Sequence, residues 1–167
     1  IDDMLAMFRE VEAATVGLEW HGLGVAFTVP YMITQHFKAT PFPAELRAVR
    51  DSYQRALDAA RLARGKASAN GRGYVDYWIG RMEFGIGYMD AVEACHRAAQ
   101  AEAKKKPEEA LQQAEAALAT MRRALESYAR VARDRSDRAA IALMGEFVFR
   151  PLKARVEAIR IPVSEHR

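Results

Sequence analysis

The chain has 167 residues, half of them apolar, 28% charged and 9% aromatic, with ten glycines and six prolines. That apolar fraction excludes a disordered tail, the few glycines and prolines exclude low-complexity or collagenous sequence, and a chain this long buries roughly two-thirds of its unfolded surface. With 25 Lys plus Arg against 22 Asp plus Glu, the net charge is only +3, whereas nucleic-acid binding uses a concentrated basic face.

Leu5, Phe8, Val11, Val16 and Leu18 recur near a helical repeat behind Asp2 and Asp3, which predicts a first helix over 2–20. The apolar stretch from His21 to Ile33 is broken by Gly22, Gly24 and Pro30; a buried loop and a short helix from Pro30 are expected. Thr40-Pro41-Phe42-Pro43 then starts a helix carrying Leu46, Val49, Tyr53, Leu57, Ala60 and Ala63, with Gly65 as its stop. Residues 66–73 are small, polar and glycine-rich and read as a turn. Their glycines do not fit a phosphate-binding loop.

A third helix is expected from Tyr74. Val75, Trp78, Met82, Ile86, Met89 and Val92 form one face, and Tyr77, Phe84, Tyr88 and Cys95 a second, so this helix is packed from two sides. Gly80, Gly85 and Gly87 inside it call for a close neighbour, either a helix backbone or a large ring, because each costs up to about 1 kcal/mol relative to Ala. Lys104-Lys105-Lys106 reads as a solvated loop. From Pro107 to about Arg133 a fourth helix carries Leu111, Ala114, Leu118, Met121, Leu125, Tyr128 and Ala132 in alternating steps of three and four. Ser136 or Asp137 can cap a fifth, lined by Ile141, Met144, Val148, Leu152, Val156 and Ile159, with a kink or break near Phe147 because Pro151 removes a donor. The fold expected is all-α, an antiparallel bundle of four main helices plus an irregular N-terminal helical segment, in one domain over 1–167.

The candidate chemistry is sparse. Glu93 and His96 stand one turn apart, but a carboxylate-bridged metal bundle needs two such pairs and two more glutamates; a polar flank is the expected place for both. Cys95 points about 100° away from His96, so the two make no nucleophile and base pair. The single cysteine leaves the compartment open. No catalytic residue, cofactor or metal is assigned. A ligand or partner surface is sought in two aromatic and charged clusters. One is Trp20, His21, Tyr31 and His36; the other is Tyr74, Asp76, Tyr77, Arg81 and Glu83, where rings and fixed charges could hold a sugar or a protein. Packing also accounts for the second cluster, with Tyr77 and Trp78 in the core and Arg81 paired to Asp76 or Glu83. Glu146 and Arg150 make an i,i+4 pair that the kink could bury. Nucleic-acid binding would need Arg122, Arg123, Arg130, Arg133, Arg135 and Arg138 on one face, and none is expected. No apolar run approaches the ~18 to 20 residues of a membrane span.

Three strings, Tyr77-Trp78-Ile79-Gly80-Arg81-Met82-Glu83-Phe84 with Tyr88, then Ser136-Asp137-Arg138, then Glu146-Phe147-Val148-Phe149-Arg150-Pro151-Leu152-Lys153, resemble the helical regions C-terminal to catalytic domains in large bacterial glycoside-hydrolase-like proteins. The resemblance spans residues 74 to 156 and contains no catalytic signature. It implies an accessory domain beside a separate barrel, secreted or periplasmic, with the catalytic acids elsewhere in the polypeptide. Ile1-Asp2-Asp3 is neither a start methionine nor a signal peptide, which fits a piece of a longer chain. The expected function is therefore an accessory or interaction module, linked to carbohydrate processing through the resemblance, whose partners are other domains or proteins. The competing expectation is a small-molecule-binding or enzymatic bundle with a pocket near Trp20, His21, Tyr31 and His36, in a cytoplasmic chain.

Overall fold

The computed structural model describes residues 1–20 and 33–165, with side chains to Ile161. Among these residues there are helices and no strands. Helix α1 (Asp2–Trp20) has its two aspartates in the first turn. A short 3-10 turn, Thr34–His36, precedes α2 (Ala44–Lys66), α3 (Ala69–Ala103) and α4 (Pro107–Val131). Beyond them α5 (Arg135–Met144) runs through a π turn, Gly145–Phe149, into α6 (Arg150–Glu165). The segment read as a buried loop and a helix from Pro30 lies outside the described residues, apart from its end at Ile33.

Short links set the topology. Ala67 and Ser68 join α2 to α3, and Lys104 to Lys106 join α3 to α4, so consecutive helices run antiparallel. In space α1 packs on α2, α2 on α3, α3 on α4 and α4 on α6, while the Thr34–His36 turn sits against α3 and α6. The α3 to α4 link closes tightly: Lys105 adopts a φ of 54°, with Lys105 N–H bonded to Glu102 and Lys106 N–H to Ala101, the C-terminal motif usually built on glycine.

Helix α3 begins five residues before Tyr74, with Gly71 and Gly73 inside it. Two side-chain bonds hold this first turn despite the glycine penalty of about 1 kcal/mol each: Arg72 donates to Ala67, and Arg133 of the α4 to α5 link donates to the Gly73 carbonyl. Both kinds of close neighbour expected for the α3 glycines are present. A Cβ on Gly80 would lie 2.5 Å from Val131 and 3.0 Å from the Ser127 carbonyl, and one on Gly87 2.7 Å from Ala124 Cβ. At Gly85 it would meet the Tyr53 ring at 2.9 Å.

That close approach also turns α4. The residues buried along it are Ala110, Ala114, Ala117, Met121, Ala124 and Tyr128. Leu111, Leu118 and Leu125, expected at the centre of the seam, flank it half-buried. Small residues on both helices bring the axes together, and the leucines fill the wedge to either side. One further expectation is corrected at α5. Asp134, not Ser136 or Asp137, caps the helix, accepting from Asp137 N at 2.9 Å. At Pro151 the interruption expected near Phe147 takes the form of the π turn, because the ring and missing N–H disturb the carbonyl four residues back. The Glu146 to Arg150 pair forms at 2.7 Å on the exposed side.

Candidate functional site

Because α1 packs closely on α2 and stands off α3, a cleft of about 280 Å³ opens between them. The α1 to α2 approach is fixed at Gly17, where a Cβ would collide with Val49. Val11, Thr15, Leu18 and Glu19 of α1 form one wall. The floor is Tyr53 of α2 against Gly85, and α3 supplies Trp78, Arg81, Met82, Phe84, Tyr88 and Met89, with Met144 of α5 at one end. Four aromatic rings and three thioethers make this lining apolar and polarizable.

Two polar atoms in this wall stand out. Trp78 Nε1 and Tyr88 Oη are buried and have no hydrogen-bond partner among the described residues. Each unmade bond of that kind costs on the order of 1 to 3 kcal/mol; both atoms are closed to solvent, so a group on an incoming molecule meets them only when the side chain shifts toward the cleft. Burial pushes the Tyr88 hydroxyl far above its ordinary pKa, keeping it neutral and able to donate. Trp78 is held edge-on by Phe8 at 5.0 Å and Tyr77 at 5.7 Å.

Arg81 joins the cleft to a polar hub. Its Nη1 donates to Tyr77 Oη at 3.0 Å and Tyr128 Oη at 2.7 Å, and lies 3.6 Å from Asp137. Both phenols donate to Asp137 Oδ1 at 2.9 Å, and Arg133 N donates to Oδ2 at 2.8 Å. Burial raises the Asp137 pKa, but the Arg133 N–H, the two phenols and Arg81 outweigh it and hold the carboxyl below its ordinary value. The same geometry raises both phenols, through burial first and the Asp137 bond second. Arg81 and Asp137 thus cancel in charge, and the hub ties α3, α4 and α5 together with its donors turned inward.

The sequence-predicted residues divide among different places. Tyr77 and Arg81 meet in the hub, and Arg81 also reaches the cleft. Arg81 pairs with Asp137 rather than with Asp76 or Glu83: Asp76 takes Arg64 at 2.5 Å, and Glu83 takes Arg130 at 3.3 Å and Arg61 at 3.6 Å. Tyr74 lies half in solvent under the Arg133 guanidinium. Trp20 is 84% exposed, and His36 is buried against His96, so neither lines the cleft; His21 and Tyr31 lie outside the described residues. His96 itself is buried rather than on a polar flank, with His36 Nδ1 3.4 Å from its Nε2 and the Thr40 carbonyl 3.0 Å from its Nδ1. Glu93 turns away to Arg47 and Arg97. No group of three or more metal-binding side chains occurs among the described residues. Of the arginines named for nucleic acid, Arg122 lies over Phe149, Arg130 meets Glu83 and Arg133 covers Tyr77.

Sequence reasoning missed Tyr88, Tyr128 and Asp137 as polar participants. The available signal was a tyrosine on an apolar seam, whose hydroxyl needs a partner wherever the ring is buried. No family model, curated protein or solved structure matches the chain. No helix among the described residues is long and apolar enough to cross a membrane.

Proposed function

We propose that the chain is a non-catalytic binding module that takes a small, uncharged, ring-bearing molecule in the cleft between α1, α2 and α3. One observation carries the reading: Trp78 and Tyr88, which line the same apolar cleft, each hold a buried polar atom, Nε1 and Oη, without a partner among the described residues. The indole N–H only donates, so the ligand presents an acceptor such as a carbonyl oxygen. The rings and thioethers favour a planar body, and Arg81, already balanced by Asp137, asks for no anion. At about 280 Å³ the cleft suits one or two fused rings.

The test is a titration followed by Trp78 fluorescence, with Trp20→Phe removing the exposed second indole. Coumarin, an uncharged bicyclic carbonyl compound, is expected to bind; naphthalene, of similar shape without an acceptor, is expected to bind about tenfold more weakly for the loss of one hydrogen bond. Equal affinity for the two, or no binding of either, overturns the reading.

A second reading, an accessory or interaction module, is favoured by the large apolar residues exposed along α1: Leu5, Phe8, Val16 and Trp20. Its carbohydrate link and secreted or periplasmic setting rest on the resemblance of residues 74 to 156 alone. Titration with neutral oligosaccharides, read by NMR at Tyr74, Tyr77 and Trp78, tests that link, and unmoved signals remove it.

A further inference from the structure

The outward face of α1 carries an order that packing among the described residues does not use. Ile1, Leu5, Arg9, Glu12, Val16 and Trp20 follow one another at steps of 4, 4, 3, 4 and 4 residues, which at 3.6 residues per turn keeps all six on a face about 100° wide. It lies opposite Met7 and Ala14, the buried residues of the helix. Leu5 and Val16 are each 49% exposed. The charges that flank α2 are engaged, Glu10 with Arg55 and Asp3 with Lys66. Arg9 and Glu12, at the middle of the outward face, are exposed and make no ion pair among the described residues.

The step pattern reads the same from either end. A two-fold axis through the middle of the helix therefore maps the face onto itself with the second helix reversed. Leu5 then comes level with Val16 of the second copy, Ile1 with Trp20, and Arg9 with Glu12. Apolar residues meet apolar ones, and the centre becomes a compact group of four charges, two of each sign. A parallel arrangement would instead bring Arg9 against Arg9 and Glu12 against Glu12 at the centre, and would set the helix dipoles side by side in the same direction.

We propose that the chain associates with a second copy of itself through this face, as an antiparallel α1 pair. The contact is one helix wide, at the low end of interface sizes, so the dimer forms with a dissociation constant of about micromolar or weaker. The proposal is independent of the cleft, which is lined by the inner side of α1.

Sedimentation equilibrium over a wide concentration range tests it. The unmodified chain is expected to show a monomer–dimer equilibrium. Arg9→Glu places four carboxylates at the centre and Glu12→Arg four guanidinium groups. Each is expected to weaken association about tenfold, the scale of reversing two partly exposed ion pairs. Because both positions are exposed, circular dichroism should report unchanged helicity. The double variant Arg9→Glu with Glu12→Arg, and an equimolar mixture of the two single variants, are each expected to restore association, since both return two charges of each sign. A chain that stays monomeric at every concentration overturns the proposal and assigns the face to another protein. Association that the single variants leave unchanged, or that neither the double variant nor the mixture restores, overturns it too.

Discussion

The Tyr128 hydroxyl and the Asp137 carboxylate meet at 2.9 Å where three helices converge, one side chain from the seam of α4 and the other from the first turn of α5. Tyr77 and Arg81 of α3 reach the same point. Asp137 is 4% exposed; an amide in its place sets an NH2 where one carboxylate oxygen accepts, from the two phenols or from Arg133 N–H, and leaves Arg81 without its counter-charge. Asp137→Asn is expected to lower stability by about 2 to 4 kcal/mol, seen as a melting temperature lower by about 5 to 15 °C in a chain of this size.

The same carboxylate sets a pH response. Its pKa is held below the ordinary value of 3.8, so the fold favours the ionised form. That contribution is complete above the unfolded value and is lost as the pH falls through the folded one. Urea midpoints measured at neutral pH and below pH 4 should therefore fall in the natural chain, and fall less in Asp137→Asn.

Two glycine substitutions should move stability in opposite directions. At Gly87 a methyl group would lie 2.7 Å from Ala124 Cβ, which cannot swing aside, whereas at Gly65 nothing lies within 4 Å. Gly87→Ala is expected to cost about 1 to 3 kcal/mol by forcing α3 and α4 apart, despite its better helix propensity. Gly65→Ala is expected to gain up to about 1 kcal/mol. Chemical denaturation of the pair checks both signs.

Trp78→Phe separates stability from binding. Replacing a buried indole whose N–H is unmatched removes a desolvated donor along with part of a ring, so the cost should stay below about 2 kcal/mol, less than for the usual loss of a large core ring. Coumarin affinity should nonetheless fall about tenfold, measured by calorimetry because the fluorescent reporter is gone.

Cys95 is fully buried, and burial pushes its thiol far above the ordinary pKa. Since the thiolate is the reactive form, a disulfide reagent should leave the folded chain unlabelled and react fully in denaturant. Rapid labelling of the native chain would show that α3 opens at this point.

The helices were legible because their signals are local. Asp2 and Asp3 set the start of α1, Pro107 with two glutamates opened α4, and the 3-4 spacing of apolar residues held through α2 and α4. The glycines of α3 announced close neighbours without naming them. The polar placements were another matter. Spacing offered Arg81 only Asp76 and Glu83, and it was the packing of the helices that brought Asp137 to it, 56 residues along the chain. His96 looked like a flank residue until the Thr34–His36 turn folded over it.

The amino-acid sequence by itself determined the all-α class, the central turns of the long helices and which residues could be apolar, because hydrogen bonding and side-chain period within a helix depend on neighbours three and four residues away. The tertiary structure decided which alanines rather than leucines centre the α4 seam, which partner each buried charge receives, and that Trp78 and Tyr88 share one cleft. Those outcomes depend on how closely the helix axes approach and at what rotation. That is settled by small residues on two helices at once, and no single stretch of the chain contains it.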